Sequence, residues 1–170
     1  MKILAIPGSL RLTSSSNHIL NAVVSTASAE VSLEIFDGVG KLPHFNDPAE
    51  APEIVAGFRN KIREADAVLI CTPEYAFGVP GSLKNALDWT VSSGEFIDKP
   101  VGLITASSQG ERGHAALLLI LGAISAKVVP DATLLISFVR SKLDPSGNIN
   151  DRSLSEALKK ILPALVEAVS

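Results

Sequence analysis

The sequence predicts an α/β fold, a three-layer sandwich in which a five-stranded parallel sheet lies between helices on both faces. Short apolar runs alternate with longer stretches whose apolar residues recur at helical spacing, five times in succession. No internal repeat or low-complexity segment interrupts this alternation. Such chains form parallel sheets through right-handed crossovers, and their ligands bind outside the carboxyl ends of the strands.

Each predicted strand is a short apolar run, and each predicted helix follows a strand with a 3.6-residue pattern. The predicted strands are Lys2–Ile6, Val31–Phe36, Ala67–Cys71, Pro100–Thr105 and Ala132–Ser137. The predicted helices are Asn17–Ala29, Glu53–Ala65, Gly81–Val91, Gly113–Ala126 and Leu154–Val169. Asp151 or Ser153 can cap the last helix. Pro163 lies inside that helix and should kink or restart it, because proline has no backbone N–H.

Composition and charge narrow the classes of function. The 170 residues are most simply one domain, residues 1–170. A net charge of −3 provides no basic surface, so we expect no nucleic-acid partner and no membrane partner. The single cysteine, Cys71, excludes an internal disulfide and favours a reducing, cytoplasmic location. The three histidines are scattered and show no metal-ligand spacing, so no metal is expected.

The loop after the first predicted strand has the composition of an anion site. It reads Gly-Ser-Leu-Arg-Leu-Thr-Ser-Ser-Ser-Asn and leads into a helix, whose N-terminus offers free N–H groups. The side-chain donors are Ser9, Ser15, Ser16 and Asn17. Arg11 can offset the charge of about −2 on a phosphate monoester, so we favour a phosphate site. The alternative is that Ser16 or Asn17 only caps the helix and Arg11 is a solvated surface residue.

The loop after the third predicted strand is stiff and aromatic. Thr72–Gly81 contains two prolines, two glycines, Tyr75 and Phe77. A stiff backbone can present N–H and C=O groups to a planar heterocycle without reordering. In the helix that follows, Lys84 and Asp88 are one turn apart, which fits a surface ion pair as well as a function.

These two loops resemble the signatures of the NADPH-dependent FMN reductase family, a flavodoxin-like group that includes quinone, chromate and azo-compound reductases. Gly8–Asn17 matches the family's Gly-Ser-Leu-Arg…Ser…Asn start. Pro73–Trp89 matches its Pro-Glu-Tyr…Pro-Gly-x-Leu-Lys-Asn-Ala-x-Asp-Trp segment, and Leu42–Asp47 is similar to its Leu-Pro-x-aromatic-Asn segment. The resemblance covers essentially the whole chain and implies a flavodoxin-like fold.

The resemblance also implies FMN as bound cofactor and NADPH or NADH as reductant. The residues it assigns to the phosphate are Ser9, Arg11, Ser15, Ser16 and Asn17. Those it assigns to the isoalloxazine ring are Pro73, Glu74, Tyr75, Ala76 and Phe77, with Ser107, Gln109 and Gly110 at the other edge. Which of Ser14, Ser15 and Ser16 contacts the phosphate stays open. No catalytic acid or base is assigned, since flavin chemistry needs little from side chains.

In this family a second subunit commonly completes the site, so the resemblance implies a homodimer or homotetramer. The aromatic residues expected near that junction are Phe45, Tyr75, Phe77 and Trp89. Cys71 ends a predicted strand beside the site and is interpreted as a small buried hydrophobe.

The leading hypothesis is an NAD(P)H-dependent oxidoreductase that transfers hydride from nicotinamide to bound FMN and on to a small acceptor. Such acceptors are a quinone, free flavin, a metal oxyanion or an azo compound. The alternatives are a flavodoxin-like electron carrier and a non-enzymatic flavin-binding module. Arg11 and the modest net charge of −3 favour the reductase, because flavodoxins tend to have an arginine-free phosphate loop and a strongly acidic surface.

Overall fold

The computed structural model describes residues 1–169, and within them five strands form one parallel sheet. The strands are β1 (Lys2–Pro7), β2 (Ser32–Ile35), β3 (Ala67–Thr72), β4 (Pro100–Ala106) and β5 (Lys127–Ile136). Their order across the sheet is β2-β1-β3-β4-β5, and every neighbouring pair is parallel. The chain therefore leaves β1 in one direction to form β2 and returns to form β3 on the other side, which creates a topological switch point between β1 and β3.

Helices cover both faces of the sheet, so the predicted flavodoxin-like α/β class is confirmed. The helices are α1 (Ser15–Val24), α2 (Glu53–Glu64), α3 (Gly81–Asp88), α4 (Glu111–Ala123), α5 (Arg152–Leu158) and α6 (Ile161–Val169). Two short 3-10 turns, Val39–Lys41 and Val139–Lys142, follow β2 and β5. None of these described helices is long and apolar enough to span a bilayer.

Each face of the sheet has its own hydrophobic core because strand side chains alternate between faces. Leu4 and Ile6 of β1 pack with α2, α3 and α4, whereas Ile3 and Ala5 pack with α1, α5 and α6. All six residues of β3 are buried, as expected for a central strand covered on both sides. These two cores hold the carboxyl ends of β1, β3 and β4 in a fixed relation.

The sequence-based boundaries differ from the structure at β5 and at the last helix. β5 begins at Lys127, before the predicted Ala132, and includes Pro130. The strand tolerates this proline because β5 is an edge strand and its pairing with β4 shifts register between Val101 and Leu103.

The predicted last helix is two helices, α5 and α6, and Asp151 rather than Ser153 caps the first of them by accepting a hydrogen bond from Leu154 N at 2.8 Å. Pro163 lies in the first turn of α6, where its missing N–H leaves no intrahelical bond unmade.

The loop between α3 and β4 contains a buried carboxylate that is held by an ion pair. The Glu95 side chain is 0% exposed, and its Oε1 accepts a hydrogen bond from Arg63 Nη2 of α2 at 2.7 Å. Its Oε2 accepts a hydrogen bond from Ser93 Oγ at 2.6 Å. The carboxylate thus joins the end of α2 to this loop, and both of its oxygens are satisfied.

Replacing Arg63 should destabilise the fold strongly. Arg63→Met leaves the Glu95 carboxylate buried without its counter-charge, and we expect a loss of about 3 kcal/mol in the free energy of unfolding, measured by urea denaturation. Lys61→Met is the matched control, since Lys61 pairs with Glu34 on the surface, with side chains 43% and 57% exposed. A loss for Arg63→Met no larger than for this control would contradict the role given to the pairing of the half-exposed Arg63 with the buried Glu95 carboxylate.

Candidate functional site

A cleft of about 550 Å³ opens at the carboxyl ends of β1, β3, β4 and β5. Four loops line it, through Arg11 with Ser14–Ser16, Pro73–Tyr75, Ala106–Ser108 and Phe138–Ser141. The cleft therefore lies at the switch point between β1 and β3, where ligands of doubly wound sheets bind. Its volume is within the range of about 300–1,000 Å³ that is typical of small-molecule and cofactor sites.

The base of the cleft depends on a close approach between β1 and β3. Gly8 N donates a hydrogen bond to Cys71 O at 2.8 Å, so the two strands stay paired to their last residues. A Cβ on Gly8 would lie 2.1 Å from Thr72 Oγ1, a distance that excludes every other residue type. The loops after β1 and β3 consequently begin next to each other and line two sides of the cleft.

The N-terminus of α1 faces the cleft, and Ser14 caps it. Ser14 Oγ accepts a hydrogen bond from Asn17 N at 3.2 Å, and the hydroxyls of Ser14 and Ser16 lie 3.1 Å apart. The N–H groups of Ser15 and Ser16 are the first two of the helix and have no intrahelical acceptor. The alternative in which Ser16 or Asn17 is the cap is therefore wrong. Arg11, Ser15 and Ser16 line the cleft as predicted, and Ser14 joins them.

Two of the predicted phosphate residues hold the loop and lie outside the cleft lining. Ser9 is 3% exposed, and its Oγ accepts a hydrogen bond from Arg11 N at 3.3 Å. Asn17 Nδ2 donates to Arg11 O at 2.8 Å and to Ser9 O at 3.5 Å. Asn17 Oδ1 is buried and has no hydrogen-bond partner among the described residues. Both side chains thus fix the backbone that carries Arg11.

The loop after β3 folds back on itself in a tight turn. Tyr75 and Gly78 exchange two backbone hydrogen bonds, at 3.0 Å and 2.9 Å. The two residues between them, Ala76 and Phe77, have φ of +49° and +60°, as in a type I′ turn. Pro73, Glu74 and Tyr75 line the cleft, whereas the structure does not place Ala76 and Phe77 in its lining. Phe77 instead packs under the Arg112 guanidinium, with Cζ 4.7 Å from the ring centroid.

Glu74 connects this turn to α4. Its Oε2 accepts a hydrogen bond from Gly113 N at 2.6 Å, in the first turn of the helix. The contact is close, because a Cβ on Gly113 would lie 3.0 Å from Glu74 Cγ and 3.1 Å from Gly78 O. The carboxylate therefore satisfies a free N–H at a helix N-terminus and sets the separation between the loops after β3 and β4.

A half-buried histidine links the first turn of α4 to the end of β4, on either side of the loop after β4. His114 Nδ1 lies 2.8 Å from Thr105 Oγ1, which joins the first turn of α4 to the end of β4. Burial lowers the pKa of His114 below its usual range, so the ring is neutral near pH 7. His114 lies outside the cleft lining.

The loop after β4 is bound to the turn after β5, which the sequence analysis missed. Ser107 lines the cleft, whereas Gln109 and Gly110 are not part of its lining. Gln109 O accepts a hydrogen bond from Ser137 Oγ at 2.7 Å, and Gly110 precedes α4 with φ of +105°. The missed lining is Phe138–Ser141. The sequence contained the information needed to predict this lining. Because β5 is a parallel strand, its carboxyl end must lie at the same end of the sheet as the carboxyl ends of β1, β3 and β4.

The segment after β2 that resembles the family pattern is held by α3. Asn85 accepts a hydrogen bond from Phe45 N at 2.8 Å and donates one to Pro43 O at 3.0 Å. Trp89 Nε1 also donates to Pro43 O, at 2.8 Å, and its ring meets Phe45 edge-on at 5.1 Å between centroids. Trp89 is 1% exposed and belongs to the core.

The Lys84 and Asp88 side chains form an ion pair at 2.6 Å outside the cleft lining, which favours the surface interpretation of that pair.

Comparison with known proteins identifies the family to which this chain belongs. The model of the NADPH-dependent FMN reductase family matches residues 1–140, which include all four cleft loops up to Arg140. The chain belongs to the NADPH-dependent FMN reductase family. It is an oxidoreductase of this flavodoxin-like group, with FMN as cofactor and NAD(P)H as reductant.

Individual relatives agree with this assignment over at least 90% of their length. The chain is 33% identical to an NADPH:quinone oxidoreductase of Arabidopsis thaliana, over 97% of this chain and 90% of the relative. It is also 33% identical to a 2-hydroxy-1,4-benzoquinone reductase of a Burkholderia species, over 98% and 93%. Among solved structures it superposes with a TM-score of 0.80 on FerB, a flavoenzyme NAD(P)H:(acceptor) oxidoreductase of Paracoccus denitrificans, at 26% identity over 99% and 96% of the two chains.

The cleft of this FMN reductase family member fits the cofactor chemically. One end provides a guanidinium, serine hydroxyls and free helix N–H groups, the donors that a phosphate monoester accepts. The other end provides the backbone of Pro73–Tyr75 and Ala106–Ser108 at the tops of adjacent strands, where a planar ring can lie. No group of metal-ligating side chains occurs within the described residues 1–169.

The single thiol of the chain is structural. Cys71 is buried at the end of β3, and its Sγ–H donates to Ser16 O at 3.1 Å. Burial raises the pKa of the Cys71 thiol far above its usual range, so it remains protonated. The interpretation as a small buried hydrophobe is confirmed.

The turn after β3 should become more stable with a residue that accepts positive φ. Ala76→Asn should raise the free energy of unfolding by about 0.5–1 kcal/mol, measured by urea denaturation, because asparagine tolerates the left-handed region better than alanine. Ala76→Val should lower it, since β-branched residues disfavour positive φ. Equal effects of the two substitutions would show that the backbone of this turn carries no strain.

Proposed function

We propose that this protein reduces quinones with two electrons from NAD(P)H at the cleft between the loops after β1, β3, β4 and β5. The observation that carries the proposal is one continuous cleft with a cationic, hydroxyl-rich end at α1 and a stiff backbone end at β3. The quinone is chosen as acceptor because the names of two full-length relatives include quinone reduction. Residues 1–170 would act as a single FMN-binding domain.

We assign the FMN phosphate to the N-terminus of α1. Arg11 offsets part of the phosphate charge, while the hydroxyls and N–H groups of Ser15 and Ser16 donate hydrogen bonds. Ser14 is engaged as the cap, so its contribution is the position of these two N–H groups. Ser9 and Asn17 contribute through the loop backbone that they hold.

We assign the isoalloxazine ring to the loops after β3 and β4. Pro73, Glu74 and Tyr75 would contact the ring through their backbone, and Ser107 would border the opposite edge. Ala76, Phe77, Gln109 and Gly110, which lie outside the cleft lining, stay predicted neighbours of the ring. The turn is preformed by the Tyr75–Gly78 bonds, so little reordering is needed on binding.

The side chains in this proposal bind and orient. When bound, FMN supplies the centre that accepts a hydride from nicotinamide and delivers two electrons to the acceptor. The chain holds the ring edge with peptide groups, and the half-exposed Tyr75 provides a surface on which a planar acceptor can stack. We assign no acid or base, since Glu74 is bonded to Gly113 N and His114 lies beneath the loop.

A homodimer or homotetramer and a cytoplasmic location complete the proposal. Large apolar side chains are exposed at the ring end and on α4, where Phe77 is 60% and Leu119 is 77% exposed. Such surfaces are typical of subunit contacts, and light scattering of the FMN-loaded protein measures the assembly. The buried thiol of Cys71 is compatible with a reducing compartment.

Steady-state assays separate this function from its alternatives. With FMN-loaded protein we expect NADPH or NADH to be consumed with a benzoquinone, at a kcat/KM above that measured with free FMN, chromate or an azo dye. An electron carrier would show no turnover with either nicotinamide and would be reduced only by a partner protein. A flavin-binding module would bind FMN and show no turnover with any acceptor.

The phosphate assignment predicts a selective effect of Arg11. Arg11→Ala should weaken FMN binding by roughly ten- to a hundredfold, because a charge-assisted hydrogen bond is lost. Binding of riboflavin, which lacks the phosphate, should change little. Fluorescence titration of both flavins measures the difference, and an equal loss for both would refute the phosphate role of Arg11.

A further inference from the structure

The cleft contains a second guanidinium that the sequence analysis did not assign. Arg140 lies in the 3-10 turn after β5 and lines the same cleft as Arg11, which lies in the loop after β1. Of the residues that line the cleft, the charged ones are Arg11, Arg140 and Glu74. Within residues 1–169, neither arginine forms an ion pair with a carboxylate.

Three carboxylates, one in the cleft lining and two bonded to residues beside the Arg140 turn, are engaged elsewhere. Glu74 accepts its hydrogen bond from Gly113 N. Asp151 pairs with Lys142 at 2.7 Å and caps α5, and the hydrogen bond from Lys142 lowers the pKa of this carboxyl. Glu111 Oε1 lies 3.4 Å from the Ser137 hydroxyl. Both guanidiniums therefore keep their charge available to an anion in the cleft.

The turn that carries Arg140 is held in place before any ligand binds. Phe138 N donates to Ser108 O at 3.0 Å, and Val139 N donates to Ser107 O at 3.0 Å. On the far side of the turn, Ser141 Oγ donates to Phe138 O at 2.8 Å, and Lys142 is anchored to the start of α5. Arg140 thus extends from a fixed backbone, which lowers the entropic cost of ordering its side chain on a ligand.

We propose that Arg140 is the second guanidinium of the phosphate site and that, with Arg11, it binds the phosphate monoester of FMN. This inference rests on the proposed function, because it takes the phosphate to lie at the N-terminus of α1. A phosphate monoester carries a charge of about −2 near neutral pH, and Arg11 alone supplies half of the balancing charge. Arg140, which lines the same cleft from the turn after β5, supplies the other half, and its planar fork can contact two phosphate oxygens.

The experiment compares FMN with riboflavin in matched variants. Apoprotein of the full chain is titrated with each flavin, using Arg140→Ala, Arg140→Lys, Arg11→Ala and Lys127→Ala. Lys127 is an exposed residue at the amino end of β5, whereas the cleft lies at the carboxyl ends of the strands. Lys127→Ala therefore removes one positive charge, as Arg140→Ala does, but away from the cleft. KM values for NADPH and NADH are measured with the FMN-saturated variants.

Arg140→Ala should weaken FMN binding by about tenfold or more and leave riboflavin binding within about twofold. Arg140→Lys should recover part of the FMN affinity, since it restores the charge without the fork. Lys127→Ala should leave both flavins unaffected. High salt should reduce the ratio of FMN affinity to riboflavin affinity more in the wild type than in Arg140→Ala. The variant has one charge pair fewer with the phosphate for salt to screen.

Three results would overturn the inference while leaving the proposed function intact. The first is unchanged FMN affinity for Arg140→Ala together with weakened affinity for Arg11→Ala. The second is unchanged FMN affinity for Arg140→Ala with a raised KM for NADPH, which would assign Arg140 to the phosphates of the nicotinamide substrate. The third is an equal loss of FMN and riboflavin affinity for Arg140→Ala, which would give Arg140 a structural role. If neither arginine variant distinguishes the two flavins, the proposed phosphate end of the cleft also fails.

Discussion

The cleft depends on the close approach of β1 and β3 at their carboxyl ends. Gly8 lies against Thr72 so tightly that no side chain fits at position 8, and Gly8 N bonds to Cys71 O. Cys71 in turn donates through its sulfur to Ser16 O, which fixes the first turn of α1 over the end of β3. Because of these contacts, a helix N-terminus and the Pro73 loop face each other across a space of cofactor size.

Most polar side chains around the cleft stabilise backbone and do not point at a ligand. Asn17 donates to the carbonyls of Ser9 and Arg11, Glu74 accepts a hydrogen bond from Gly113 N of α4, and Ser137 donates one to Gln109 O. Each of these contacts fixes one loop relative to its neighbour. The groups left to a ligand are peptide N–H and C=O, serine hydroxyls and guanidiniums, which bind and orient without transferring protons. This agrees with an enzyme whose cofactor carries the chemistry.

The alternation of apolar patterns was enough to predict the fold class, because every buried strand and helix contributes its own periodic signal. The two loops with unusual composition led to the end of the sheet where the cleft lies. The sequence did not state the strand order, so the turn at Phe138–Ser141 was missed although β5 was predicted. The roles of single serines also stayed open, since moving the cap from Ser16 to Ser14 rotates the helix start by about 200° at 100° per residue. Only the three-dimensional packing of the loop shows which hydroxyl faces the cleft.

The two ends of the cleft differ in how strongly they can discriminate between ligands. The α1 end, which we propose for the phosphate, has guanidinium charge and free helix N–H groups, which bind anions strongly and directionally. At the β3–β4 end, which we propose for the ring, the described lining includes the half-exposed Tyr75 and the buried Ser107, and the Glu74 carboxylate is already bonded to Gly113 N. Strong rejection of a wrong substrate requires a buried polar group that the substrate alone can satisfy. Among the described residues 1–169, Ser107 is the one buried polar residue that lines the β3–β4 end of the cleft, so under the proposed function we expect the planarity of the acceptor and whatever covers Tyr75 to set most of the acceptor choice.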